Sequence, residues 1–331
     1  MLLRYKLCVY VVKIKNLKMQ TIINTQLQDK LRQVEKFIGN TPLYPVTKLH
    51  TKKNVKIYAK LEWQQLSNSV KARAGFNIIK NAILNGDINE YKGLIDASSG
   101  NTAVAYASIG AKLGIPVTLC VPENASATKK NALQALGANI VFTSKFGGTD
   151  EAQQKAKELS EENPLQYFYT NQYANDNNWK AHYNGTAHEI WNQTKETITH
   201  FIAGLGTTGT FVGTSRKLKE LSREFGTEIK TISLQPNSAM HGLEGWKHME
   251  SAIVPKIYDN SIADENWFVD TYETFDLLKE AAKYEGLLLS PSSAANLLGA
   301  LQLAEKIDEG VIVTTFADHA SNYPEILENI L

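Results

Sequence analysis

Two regimes of hydrophobic and polar positions alternate along the chain. Short runs rich in β-branched and other apolar residues predict strands over 56–62, 93–98, 116–121, 139–144, 166–170, 199–205, 230–235 and 310–316. Between them apolar residues recur at three- and four-residue spacing, which predicts helices over 70–85, 102–113, 126–136, 149–162, 177–194, 209–224, 273–285 and 293–306. Strand followed by helix, repeated many times, implies parallel sheets with right-handed crossovers. Neither a low-complexity linker nor a sequence repeat interrupts the pattern. It is therefore an α/β chain of two interleaved domains with a cleft between them, and a ligand is expected outside the carboxyl ends of the strands.

Composition narrows the function classes. The 331 residues are 43% hydrophobic and 21% charged, with a formal net charge of +1. That balance gives no general attraction to nucleic acid or to an anionic membrane, so neither is expected as a partner. Two cysteines, Cys8 and Cys120, make no C-x-x-C pair, which points to a reducing, cytoplasmic compartment without a disulfide framework. The start, "MLLRYKLCVYVVKIKNLK", has its apolar part broken by Lys6, Lys13 and Lys15 and lacks a small-residue cleavage site. It is read as a non-functional extension, with Met19 as the working start.

Three strand-to-helix turns carry candidate chemistry. "SSGNT", Ser98 to Thr102, puts hydroxyl and amide side chains on a glycine turn beside free helix N–H groups. Such a pocket suits a carboxylate or a phosphate, although the same residues also make good N-caps. "GLGTTGT", Gly204 to Thr210, satisfies G-x-G-x-x-G through Gly204, Gly206 and Gly209. A dinucleotide site needs an acidic residue near the end of the next strand, and "KTISLQ" ends at Gln235 with none in reach. The hydroxyls of Thr207, Thr208 and Thr210 beside glycine N–H groups suit a terminal monoester phosphate better. The third turn places Ser292 and Ser293 before a late helix, as caps or as hydroxyls facing a cofactor ring. The chain has no H-E-x-x-H, G-x-S-x-G or P-loop motif, and His182 and His188 lack metal spacing, so no metal is expected.

Lys71, one step inside a predicted helix in "NSVKARAGFNII", gains meaning from these turns. A lysine in a partly dry cleft near positive potential has a lowered pKa and can form a Schiff base. With a phosphate cradle, a carboxylate cradle and a serine before a late helix, the parts describe a pyridoxal 5′-phosphate site.

The chain from Ile38 to Tyr323 resembles the cysteine synthase family of fold-type II pyridoxal-phosphate enzymes. "IGNTPL" (38–43) resembles the opening signature, "SVKAR" (69–73) the lysine segment S-V-K-D-R, and "SSGNTA" (98–103) the substrate loop T-S-G-N-T-G. "NQYANDNNWKAHY" (171–183), "GLGTTGT" (204–210) and "SPSSAA" (290–295) follow in the family's order. The resemblance implies the tryptophan synthase β-like fold, two interleaved three-layer α/β/α domains with the active site in the cleft. It divides the chain into a smaller domain over 45–165 and a larger phosphate-binding one over 19–44 and 166–331, and it implies a homodimer.

By the same resemblance, Lys71 holds the cofactor as a Schiff base and shuttles the α-proton. Asn101 bonds the cofactor's 3′ oxygen, Gly206, Thr207, Thr208, Gly209 and Thr210 cradle its phosphate, and Ser292 meets its ring nitrogen. Ser99, Asn101, Thr102 and Gln172 hold the substrate carboxylate. The implied activity is elimination from O-phosphoserine or O-acetylserine to an α-aminoacrylate, then addition of a sulfur nucleophile to give L-cysteine. The sulfur donor is left open among sulfide, thiosulfate and a thiocarboxylated carrier protein. The stretch 234–259 looks most like the cysteine synthase B or O-phosphoserine branch, with Lys247 where that branch has an arginine for the substrate phosphate. His241 and His248 stand near it.

Departures are Ala72 for an aspartate, Ala103 and Ala294 for glycines, and Asn322 for a lysine near the C-terminus. They keep two alternatives open. One is a relative that makes 2,3-diaminopropionate, lanthionine or cystathionine. The other is a non-catalytic relative that binds the cofactor or a protein.

Overall fold

A computed structural model describes residues 26–330, so the extension assigned to 1–18 lies outside the described residues. Two sheets organise the chain. The strands are β1 (Leu43–Val46), β2 (Val55–Leu61), β3 (Gly93–Ala97), β4 (Val117–Pro122), β5 (Asn139–Thr143), β6 (Tyr167–Tyr169), β7 (His200–Gly204), β8 (Lys230–Pro236), β9 (Glu265–Val269) and β10 (Gly310–Phe316). The larger sheet runs β1-β2-β10-β7-β8-β9, and the smaller runs β5-β4-β3-β6. Only β1 pairs antiparallel; every other ladder is parallel, as strand-helix repetition requires.

The helices are α1 (26–35), α2 (Lys71–Leu84), α3 (Asn101–Leu113), α4 (Ala127–Ala135), α5 (Gly148–Glu162), α6 (Asp176–Ala181), α7 (Ala187–Gln193), α8 (Gly209–Phe225), α9 (Thr271–Glu280), α10 (Pro291–Lys306) and α11 (Pro324–Ile330). Each sheet is covered on both faces because successive strand residues point to opposite sides. On β7, Phe201 packs with Phe211 and Leu218 of α8, while Ile202 joins Leu297 and Ala300 of α10. On β3, Leu94 packs with Tyr106 and Ile109 of α3, and Ile95 joins Ala152 and Ala156 of α5.

The sheets do not divide where 45 and 165 would cut the chain. β2 is hydrogen-bonded to β10 from Val55 opposite Gly310 to Leu61 opposite Phe316, so 43–61 belongs to the larger sheet. β6 pairs with β3, which puts 167–169 in the smaller one. The reason is pairing between residues about 250 positions apart in sequence, which local periodicity does not carry. The predicted helix 177–194 is α6 and α7 joined by a π-turn at His182–Thr186, and α9 likewise ends in a π-turn at Ala281–Glu285. Within the parallel sheets, the carboxyl ends of β3, β6, β7, β8 and β10 lead into loops around one cleft.

Candidate active site

Lys71 opens α2, and the chain just before it is held from the other side of the cleft. The Val70 N–H donates to the Ala317 carbonyl at 2.8 Å, and Ser69 bridges to Asp318. The Lys71 side chain faces a cavity of about 290 Å³ and takes no hydrogen bond or ion pair from the described residues. Burial pushes its ammonium below the usual lysine range, against the pull of the Asp318 carboxylate. A lysine with a lowered pKa in a cleft is a nucleophilic amine and a proton carrier. Behind it, Arg73 fixes the first turn of α2. Its Nε and Nη2 donate to the two Glu62 oxygens at 2.6 and 2.9 Å, and its Nη1 and Nη2 to those of Glu189 at 2.6 and 2.7 Å. Lys60 adds a bond to Glu189 at 2.7 Å. Burial acts to raise the Glu189 pKa, but the bonds from Arg73 and Lys60 hold it well below the usual carboxylate range.

The predicted site residues converge. Lys71, Ser99, Asn101, Thr102, Gln172, Gly206, Thr207, Thr208, Thr210, Lys247 and Ser292 all line the cavity, and Gly209 lies just behind it as the first residue of α8. Thr102 Oγ1 donates to Gln172 Oε1 at 2.8 Å, so the carboxylate loop and the segment after β6 meet. Asp96 at the end of β3 secures that meeting. It accepts from Thr170 Oγ1 at 2.6 Å and the Gln172 N–H at 3.3 Å. Lys247 is half-buried on the opposite wall, its Nζ 5.1 Å from the centre of the Tyr173 ring.

Between β7 and α8 the chain approaches its neighbours too closely for side chains. A Cβ on Gly206 would stand 2.1 Å from the Gly245 carbonyl oxygen, and one on Gly209 would stand 2.0 Å from Asn178 Oδ1. Thr208, not glycine, takes φ +71°, a strained left-handed conformation. The turn aims the first N–H groups of the 17-residue α8 at the cavity, where they and the helix dipole favour an anion. At the floor, Ser292 Oγ lies 3.4 Å from Asp318 Oδ1.

Known proteins resemble this chain closely enough to assign its family. A family model described as "Pyridoxal-phosphate dependent enzyme" matches residues 34–318. A cysteine synthase of Aquifex aeolicus is 42% identical over 295 residues, 87% of this chain and 89% of that protein. The chain belongs to the cysteine synthase family of pyridoxal-phosphate enzymes. Cysteine synthase B of Pseudomonas aeruginosa is 35% identical over 288 residues, 86% of this chain and 93% of that one. Among solved structures, the cysteine synthase of Entamoeba histolytica superposes with a TM-score of 0.82 at 29% identity, covering 90% of this chain and 94% of that one. The activity is pyridoxal-phosphate-dependent cysteine synthesis, and the fold is fold-type II.

The residues of this cysteine synthase family member fit the cofactor. Thr208 Oγ1 and Asn178 Oδ1 are buried at the glycine turn without a hydrogen-bond partner, polar atoms whose burial is costly until a ligand satisfies them. Thr210 Oγ1 is 3.3 Å from His182 Nε2, and His182 Nδ1 is 2.9 Å from Thr186 Oγ1. Burial, with the nearby cations Arg73 and Lys71, keeps this imidazole neutral. A π-turn puts His182 there, a common device at functional sites.

Sequence reasoning missed four residues of the site, namely Asp318, Tyr323, Lys129 and Glu244. Asp318 Oδ2 accepts from Asn101 Nδ2 at 2.6 Å and from the Tyr323 hydroxyl at 2.7 Å, and Lys129 Nζ donates to Asn101 Oδ1 at 2.8 Å. The Asn101 amide is thus already engaged at both ends. Only the departure at Asn322, which lies between Asp318 and Tyr323 in "ADHASNY" (317–323), pointed to this part of the chain. Among the described residues no group of three or more His, Cys, Asp or Glu side chains is placed to hold a metal ion. Cys120 is buried, which pushes its thiol up to about 11 and leaves it unreactive.

Proposed function

We propose that the cleft binds O-phospho-L-serine and replaces its phosphate with the sulfur of sulfide, giving L-cysteine. The observation that carries this reading is Lys247, a half-buried cation with no ion-pair partner among the described residues, in the same cavity as Lys71. An unpaired ammonium on the wall of a cleft is a receptor for an anionic leaving group.

The chain's residues divide the work. The cofactor, when bound, supplies an electron sink that acidifies the α-carbon of the amino acid joined to it. Thr207, Thr208, Thr210 and the N–H groups opening α8 hold its phosphate, and Ser292 faces its ring. Ser99, Gln172 and the backbone N–H groups of Asn101 and Thr102 at the head of α3 hold the substrate carboxylate and so orient the α C–H bond. Lys71 Nζ removes the α-proton and returns it. Lys247 draws the leaving phosphate away, and its charge counts most as the C–O bond breaks.

The test is a pair of steady-state profiles with sulfide as acceptor. Lys247→Met should lower kcat/KM for O-phosphoserine about tenfold, mostly through kcat and corresponding to about 1.4 kcal/mol, and leave that for O-acetylserine within twofold. Equal effects on both substrates would remove phosphate recognition from Lys247, and a wild-type preference for O-acetylserine would hand the site to that substrate. The homodimer and the cytoplasmic location belong to the same reading.

A further inference from the structure

Between α4 and the segment after β10, the side-chain amide of Asn101 is held at its two ends by groups of opposite charge. Its Oδ1 accepts from Lys129 Nζ at 2.8 Å, and its Nδ2 donates to Asp318 Oδ2 at 2.6 Å. The two ends of an amide have nearly the same shape, so their partners alone decide which way it faces. An ammonium has no lone pair with which to accept, and an ionised carboxylate has no hydrogen to donate. Turned over, the amide would set nitrogen against ammonium and oxygen against carboxylate. Lys129 is 8% exposed and Asp318 1%, so water would not make good the loss. The Tyr323 hydroxyl donates to the same Asp318 oxygen at 2.7 Å and keeps it an acceptor.

The position of Lys129 is itself unfavourable. Burial pushes its ammonium below the usual lysine range, and the carboxylates of Asp318, Glu244 and Glu325 pull it back. It is the third residue of α4, after the Ser126 cap, where the helix dipole disfavours a cation. Orientation of the amide also has a direction in the cleft. Asn101 and Asp318 line the main cavity, whereas Lys129 lines the adjoining cavity of about 300 Å³. The nitrogen end is therefore the one beside the main cavity. Its second hydrogen has the Tyr323 oxygen at 3.3 Å, a long contact that a stronger acceptor in the cavity replaces.

We infer that Lys129 and Asp318 are positioning residues, which together fix the Asn101 amide so that it offers a donor, and never an acceptor, to the anionic 3′ oxygen of the cofactor. This rests on the reading of the main cleft given above. Asp318 also lies against Ser292 at 3.4 Å, and its charge reaches Lys71. Lys129, which acts from behind Asn101, is therefore the cleaner probe.

The experiment is a double-mutant cycle on wild type, Lys129→Met, Asn101→Ala and the double variant. It reads the dissociation constant of pyridoxal phosphate from the cofactor-free proteins and, at one pH, the ratio of visible to near-ultraviolet absorbance of the loaded ones. Lys129→Met should weaken cofactor binding about fivefold and move absorbance toward the near-ultraviolet, because a 3′ oxygen that loses its donor takes a proton more readily. Lys129→Arg, which still donates to Oδ1, should stay within twofold of wild type. In Asn101→Ala, Lys129→Met should change neither readout more than twofold, since its action passes through the amide. Asp318→Asn, able to donate as well as accept, frees the amide from its other end, and its effect on affinity should shrink at least twofold once Asn101 is alanine. Equal losses with and without Asn101 would mean a charge acting directly on the cleft and would overturn the inference, as would a Lys129→Met protein that binds and absorbs like wild type. An Asn101→Ala protein unchanged in both readouts, with Lys71 still labelled on borohydride reduction, overturns the inference alone. Failure to label Lys71 overturns it together with the reading of the main cleft.

Discussion

Thr208 and Lys71 show how the site acts through single residues. Thr208 holds φ +71° at the head of α8 with its hydroxyl buried and unpartnered. Thr208→Gly should relieve backbone strain and stabilise the cofactor-free protein by up to about 1 kcal/mol, while weakening pyridoxal-phosphate binding about tenfold through the lost hydroxyl. Thermal unfolding and a cofactor titration read the two effects separately. Lys71→Ala should lower turnover by about 10³-fold or more with the fold intact, as loss of the amine and proton carrier requires. Both residues were legible in the sequence because each sits in a motif of consecutive residues whose local geometry is fixed by glycines and a helix start. Asp318, Lys129, Tyr323 and Glu244 were not. Asn101 and Asp318 touch across 217 positions of sequence, and a lone acidic residue in an irregular segment has no local signature.

Elements were legible where periodicity was strong and lost where it was short. The apolar alternation of β7, β8 and β10 and the amphipathic stripes of α2 and α8 predicted themselves. The four-residue β1 and the edge strand β9, where Glu265, Asn266 and Phe268 are exposed, carried too little apolar pattern to be seen. The π-turns escaped for the opposite reason, since one residue added to a helical run preserves the look of a helix. Two predictions belong here. Glu189 ties α7 to α2 and β2, and Glu189→Gln should leave Arg73 and Lys60 short of a buried counter-charge. A cost of about 3 kcal/mol in unfolding free energy is expected, with urea titration as the check. Burial lifts the Asp96 carboxyl at the end of β3 to about 6, despite bonds from Thr170, Ala97 and Gln172. The unfolded value is ~3.9, so between about pH 4 and 6 the native state holds the extra proton. The contribution favours folding below about pH 4 and is lost as pH rises through 6. Asp96→Asn should therefore gain up to about 3 kcal/mol relative to wild type on going from pH 4 to 7; parallel stability profiles would contradict this.

At the scale of the whole molecule, two sheets, parallel except for β1, exchange chain near residues 62 and 170 and turn the carboxyl ends of their parallel strands toward one cleft. That arrangement brings segments as far apart as Lys71 and Ser292 into one cavity, a convergence that the motifs anticipated, whereas pairing between distant strands has no local signature in the sequence. Among the described residues no helix is long and apolar enough to cross a membrane. Sedimentation should give about twice the 36.8 kDa chain mass for the proposed homodimer; a single-chain mass would exclude it. The proposed attachment of the cofactor to Lys71 underlies the reading of the cleft, and it is read most directly by borohydride reduction of the protein incubated with pyridoxal phosphate, followed by peptide mass mapping. A pyridoxyl group on the peptide that contains Lys71, absent from Lys71→Ala, is the expected result; a label on another lysine, or none, would contradict it.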